Sequence, residues 1–268
     1  MKTRIILISI AAALSGCGEE VEPKSLVDDL TILAVRADPP ETAPGGTVTL
    51  DALVADPAGA GRPVELSWFL CAVDPTVGTS SCVEEANLTP IGVGGSIAVA
   101  VTADALEQVP AELRARGIDV FVAMKARAGD EESNVAIKRV RISESATPNA
   151  NPSLETFDLE GVATVASNGA FLVEPGSEIE IYARVADGSH QEYVDDAGGS
   201  RVEEMRFAWF LTAGLFENDI TWEDEEGAAR TTWTAPADGT TATLWVVLRD
   251  GRGGVDWRTL VVETDESA

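Results

Sequence analysis

The sequence predicts an all-β protein built as two tandem antiparallel β-sandwiches, and three observations carry that prediction. Apolar residues recur with period two in short runs, as in Val48, Leu50, Ala52 and Val54 and again in Val64, Leu66, Trp68 and Leu70. That spacing places one face of a strand in a core. Gly and Pro punctuate these runs, and helical periodicity is scarce. The two halves also repeat one another. Residues 44–56 align without gaps on residues 175–187 with six of 13 positions identical, and Leu66-Ser-Trp-Phe-Leu-Cys-Ala72 aligns on Phe207-Ala-Trp-Phe-Leu-Thr-Ala213 with four of seven identical. The offset grows from 131 to 141 between the blocks, so the second copy carries ten extra residues there. Two matched blocks in the same order indicate duplication.

The chain opens with Lys2 and Arg4, then runs from Ile5 to Ala13 with only Ser9 polar. Such a run is too short to span a bilayer, which needs about 20 apolar residues, and matches the core of an export signal. Leu14-Ser15-Gly16-Cys17 follows, and it resembles the lipobox of bacterial lipoproteins. The resemblance implies a signal peptide over 1–16, cleavage before Cys17 and lipid on that cysteine. Each buried CH₂ contributes about 0.8 kcal/mol, so two or more chains hold a protein stably on a membrane. In that family Asp after the cysteine marks retention at the inner membrane; Gly18 points instead to the outer membrane, at its periplasmic face or the cell surface. Residues 17–29, with five acids and little apolar content, read as the acylated cysteine and an acidic tether.

The first domain is expected over 30–143. Its strands run through Val48–Val54, Val64–Leu70, Ile118–Met124 and Val135–Ile142, the last two joined at Gly129-Asp130. Asp104 to Arg116 is the exception, one or two helical turns interrupted at Pro110. Residues 144–152 are polar, contain Pro148 and Pro152, and read as a linker. The second domain, 153–264, repeats the plan with Ile179–Val185, Met205–Leu211 and Leu244–Leu248, then the turn-forming Arg249-Asp-Gly-Arg-Gly-Gly254 and a last strand, Val255 to Val262. Residues 265–268 are a tail.

With Trp68 and Trp209 on mid-domain strands, and Trp233-Thr-Ala-Pro236 leading to Leu244–Gly254, the chain resembles the immunoglobulin-like and PKD-like modules of bacterial surface lipoproteins. That resemblance implies a fold and no shared activity. Antibody-type domains join two strands across the sandwich by a disulfide of wide sequence separation. Cys71 and Cys82 are close neighbours and suit a local loop staple, with two buried free thiols as the alternative. An exported protein lies in an oxidising compartment, which favours the staple.

The chain carries 19 basic and 45 acidic residues; without Lys2 and Arg4, 17 against 45 leaves −28. That balance excludes nucleic acid as a partner and opposes adhesion to anionic headgroups beyond the anchor. The sole histidine, His190, lies in the polar insertion of the second copy without a nucleophile motif around it, so no catalytic residue is assigned. No cofactor fingerprint is present. The acids Asp195, Asp196, Asp219 and Glu223 are the candidates for calcium, which takes several carboxylate oxygens; their other reading is solvated charge. Phe210 and Trp245 lie opposite in parity to core positions, and Trp257 is grouped with them as a platform candidate. Left open, they form an apolar platform for sugar or protein; the alternative is that loops or the neighbouring domain cover them. Two functions follow: a non-enzymatic, lipid-anchored structural or protein-interaction module, or a glycan- or calcium-binding module serving a larger envelope complex.

Overall fold

A computed structural model describes residues 24–73, 80–82, 84–131, 133–162, 169–195 and 198–264. The first half contains β1 (Thr31–Asp38), β2 (Glu41–Thr42), β3 (Thr47–Ala55), β4 (Val64–Val73), β5 (Ser80–Ser81), β6 (Leu88–Val93), β7 (Ser96–Ala100), β8 (Ile118–Ala128) and β9 (Asn134–Ile142). The second contains β10 (Leu154–Leu159), β11 (Phe171–Val173), β12 (Glu178–Val185), β13 (Glu192–Val194), β14 (Ser200–Val202), β15 (Arg206–Leu211), β16 (Leu215–Phe216), β17 (Ile220–Trp222), β18 (Ala228–Thr234), β19 (Ala242–Arg249) and β20 (Val255–Thr264). Within the segment expected to be helical, a single 3-10 turn forms at Ala111–Leu113, directly after Pro110.

In the first half, β1-β3-β7 form one sheet and β2-β9-β8-β4 the other, with β5 and β6 both pairing β4. In the second, β10-β12-β18-β16 form one sheet and β11-β20-β19-β15-β17 the other. Each half begins in one sheet and then sends a short strand across to run parallel to its last strand, β2 on β9 and β11 on β20. With β1, β3 and β7 as strands A, B and E, and β4, β8 and β9 as C, F and G, the order is immunoglobulin-like. β10, β12 and β18 with β15, β19 and β20 repeat it. The protein is therefore two tandem immunoglobulin-like sandwiches.

The repeated Pro-Gly pairs explain how each B strand starts. Gly46 N–H donates to Ala43 and Ser177 N–H to Glu174, closing four-residue turns. Pro44 and Pro175 hold the second turn position, and Gly45 (φ +80°) and Gly176 (φ +72°) the third, as a type II turn requires. Beyond them the period-two faces enter two separate cores. Trp68 packs with Leu50, Val122 and Met124, and Trp209 with Phe157, Ile181 and Phe216. Both indoles are fully buried. Each N–H is satisfied, Trp68 by the Gly94 carbonyl at 2.7 Å and Trp209 by the Thr221 hydroxyl at 2.8 Å.

The tether corrects the sequence reading. Cys17 and residues 18–23 lie outside the described residues, but residues 24–29 do not hang free. Leu26 bridges Leu211 in parallel; Val27 N–H donates to the Leu211 carbonyl at 2.8 Å, and Leu211 N–H to Ser25 at 2.9 Å. The segment extends the second sandwich and then enters the first. Leu26 packs on the second core, while Val27 is buried between the two halves. An extended chain buried there must pair its backbone groups, and the edge beside Leu211 supplies partners.

Candidate functional site

The junction between the sandwiches is where the sequence-derived candidates meet. On β15 and β19 the residues opposite in parity to the core are Arg206, Ala208 and Phe210, and Trp245, Val247 and Arg249. Register pairs Phe210 with Trp245 and Arg206 with Arg249. The apolar part of this face is covered. Trp245 packs with Val27, Leu33 and Ala55; Phe210 and Trp257 close on Leu53 and Ala34. The expected platform of Phe210, Trp245 and Trp257 is therefore not an open ligand surface, because the outer face of β1 and β3 sits on it. Burying those rings against another apolar face removes them from water, which an isolated domain could not do.

Polar contacts fix the register of this interface. Arg36 reaches Asp256 and Asp51, each at 3.3 Å, with its guanidinium 4.6 Å from the centre of the Trp257 ring. Arg249 donates to the Leu33 carbonyl at 3.2 Å. Asn151, in the linker, donates to the Ala37 carbonyl and accepts from Val255 N–H, both at 2.9 Å. Asn149 joins Glu41 of the first half to Asp250 of the second. Asp250 accepts the N–H groups of Arg252, Gly253 and Gly254, which shapes the turn-forming run expected there. Arg252 then binds Glu203 at 2.7 Å, lies 3.7 Å from Glu41, and stacks on Tyr193. Burial pushes the Glu203 carboxyl up despite the guanidinium beside it.

Beyond the covered part, the same sheet face stays open. Trp222, Arg206 and Arg249 form one row across β17, β15 and β19, with Arg206 in the middle and opposite each of the others. The facing wall is the hairpin β13–β14, with Tyr193 and Arg201, and Glu204 just after it; the hairpin lies in residues 188–206, a segment ten residues longer than its counterpart, 57–65, in the first copy. Between them lies a cleft of about 600 Å³. A second cleft of about 390 Å³, lined by Lys138 and Arg139 of the first half, shares Arg249 and Gly251 with it. Burial, and then the like charge of Arg206, push the Arg249 guanidinium down to about 10. Burial likewise pushes the Lys138 ammonium down to about 8, against the pull of Asp250. The sequence reading missed this group, because the pairing of Arg206 with Arg249 depends on register.

The remaining candidates are placed apart. Asp195 binds Arg201 at 3.0 Å and accepts Gly199 N–H at 2.7 Å. Glu223 holds His190 at 2.8 Å, and Asp219 gives its backbone carbonyl to Trp209 N–H. Asp196 lies outside the described residues. No group of three potential metal ligands occurs among the described residues. The acids were grouped by sequence proximity, and the strands send them to different neighbours. His190 is hydrogen-bonded to the Glu223 carboxylate at an exposed position, and to no hydroxyl or thiol among the described residues, which is not the setting of an activated nucleophile.

Cys71 and Cys82 form a disulfide. Cys71 is in β4 itself, on the face opposite Trp68, and the bridge packs with Phe69, Leu88, Phe121 and Ala123 on the outside of the first sandwich. The same face carries Val93, Val135 and Ile137, exposed by 76, 50 and 53 %.

No helix among the described residues is long and apolar enough to cross a membrane. No protein-family model matches the sequence. No curated protein matches it. Among solved structures, the chain is similar to the D0-D1 domain of Intimin, with 14% identity, 87% of this chain and 96% of that one covered, and a TM-score of 0.26. It is similar to the N-terminal Ig1-2 module of the Drosophila receptor protein tyrosine phosphatase DLAR (10%, 88% and 99%, TM-score 0.28). It is also similar to the two tandem V-type regions of VCBP3, a v-region-containing chitin binding protein (13%, 87% and 99%, TM-score 0.30).

Proposed function

We propose that the protein is a non-enzymatic, lipid-anchored module of the outer membrane, in which two locked sandwiches present a fixed surface to a protein partner. The observation that carries the interaction reading is the outer face of β6, β4, β8 and β9. Val93, Val135 and Ile137 are exposed there beside half-buried Phe69 and Phe121. Exposed apolar side chains grouped on one sheet face, here with Lys125 and Ser67 between Val93 and Val135, are characteristic of interaction sites. The disulfide stiffens the same face. The anchor reading rests on Leu14 to Cys17. Six residues, 18–23, separate Cys17 from Lys24, so the folded part would stay within about 25 Å of the lipid. That reach suits a module working close to its own membrane.

Two experiments test the two parts. Cys17→Ser should leave an uncleaved form that no longer enters the detergent phase; equal recovery of both proteins at the mature mass would remove the anchor. A photo-crosslinker at Ile137 should give a discrete adduct in intact envelopes that Val135→Glu abolishes. The same adduct from a crosslinker at Glu178, on the second sandwich, would remove the docking face.

A further inference from the structure

We infer that the cleft between the β13–β14 hairpin and the β17-β15-β19 face binds an acidic oligosaccharide, with Arg206 and Arg249 taking a sugar carboxylate and Trp222 stacking on the ring. The inference is independent of the lipid anchor and of the apolar face of the first sandwich.

The first observation is a pairing that is unfavourable on its own. Arg206 and Arg249 stand directly opposite on adjacent strands, and like charges so placed repel. The chain holds 45 acidic residues, yet among the described residues neither guanidinium has a carboxylate within ion-pair distance. Arg249 has one hydrogen bond, to the Leu33 carbonyl, and Arg206 has none. An anion between them would relieve the repulsion and satisfy the planar donor forks, which match a carboxylate in two-point contact.

The second is the company these arginines keep. Trp222 pairs with Arg206 across the strands and is 60 % exposed, although three other tryptophans of the chain are completely buried. An exposed indole beside Arg206, with Arg249 on the far side of that arginine, offers an apolar face for the C–H side of a pyranose and charge for its acid group. Tyr193 forms part of the opposite wall, held under Arg252 at 4.6 Å. Glu204 also lines the cleft; its carboxylate suits sugar hydroxyl groups and opposes a second negative charge.

The third is shape. The cleft is open, and it shares Arg249 and Gly251 with the neighbouring one, where Lys138 and Arg139 add further positive charge. A trough across the junction fits a chain of acidic sugars better than a single monosaccharide. Nucleic acid would meet too few cations against a net charge of −26. The hairpin wall lies in residues 188–206, and the shorter counterpart in the first copy, residues 57–65, forms no hairpin, so that wall has no equivalent there.

The test is a calorimetric titration of the purified protein in detergent with an oligogalacturonate, a neutral oligogalactose of equal length and a hexaglutamate peptide. The oligogalacturonate should bind about tenfold or more tightly than the other two, a difference of 1.4 kcal/mol or more. Arg206→Ala and Trp222→Ala should each weaken it about tenfold without moving the melting temperature, since both side chains lie at the surface. Glu204→Gln should strengthen it. Neutral sugar bound as well as the uronate, peptide bound more tightly, no uronate binding, or unaffected variants would each overturn the inference.

Discussion

Phe69 and Phe210 occupy the same position in the two copies, directly after the buried tryptophan on strand C, and their surroundings differ. Phe210 points from its sheet into the first sandwich, covered by Leu53 and the outer face of β1. Phe69 points from its sheet towards solvent, with the disulfide beside it and Lys125 5.2 Å from its ring centre. The two copies share one strand plan, and packing uses the outer face of one to hold the halves together and leaves that of the other outward. A fold made of repeats thus acquires asymmetry without changing the motif that builds its cores.

The inner faces remain alike, so they give the largest test. Trp68→Ala and Trp209→Ala should each cost about 3–5 kcal/mol, a large share of a typical domain's stability of roughly 5–15 kcal/mol. The consequences should differ in reach. Loss of the second sandwich uncovers Leu33, Ala34 and Leu53, so Trp209→Ala should reduce amide protection in β1 as well, while β4 and β8 keep theirs. Hydrogen exchange resolves this. Equal loss throughout both halves would mean one cooperative core.

The staple gives a second asymmetry. Cys71 and Cys82 are separated by 11 residues, and a loop of that size contributes about 3 kcal/mol. Replacing both by Ala should destabilise the first sandwich by about that amount and leave the second unmoved. Denaturant unfolding followed with a probe in each half checks it, and equal shifts in both would contradict the assignment.

A third comparison sets the two phenylalanines against each other. Phe210→Ala removes packing between the halves and should cost about 2 kcal/mol, whereas Phe69→Ala, more open to water, should cost about 1 kcal/mol. Equal losses would show that the outer face of the first sandwich is as well packed as the interface.

These contrasts also show which parts of the molecule were legible in the sequence. Period two placed Trp68 and Trp209 in their cores, and the gapless Pro-Gly blocks identified the B strands, because those features depend on local alternation and turn chemistry. Parity also put Phe210 and Trp245 on the face away from the core. It could not say what covers that face, since the covering residues Leu33 and Leu53 are almost 160 positions or more away. Ser25 to Val27 looked like tether because two or three apolar residues among acids have no periodicity to read. Arg206 and Arg249 were each visible, but only the register of β15 on β19 makes them a pair.

Lys138 offers the smallest effect and the sharpest probe of the interface, because its environment exists only when the halves are docked. Its ammonium donates to the Gly253 carbonyl of the second sandwich and has no carboxylate within ion-pair distance among the described residues. Burial holds it at about 8, below the ordinary lysine value of about 10.4. Between those two values the unfolded chain binds more protons than the folded one, so this residue makes stability rise as pH increases from about 8 to about 10.4. Below that window the folded state bears the full cost of the buried charge. Lys138→Met should remove the dependence, and comparing wild type and variant cancels groups that titrate in both. The wild type should gain on the order of 1–2 kcal/mol relative to the variant between pH 7.5 and 10. Parallel pH profiles would mean that Lys138 reaches water in solution and that the halves separate more readily than their packing implies.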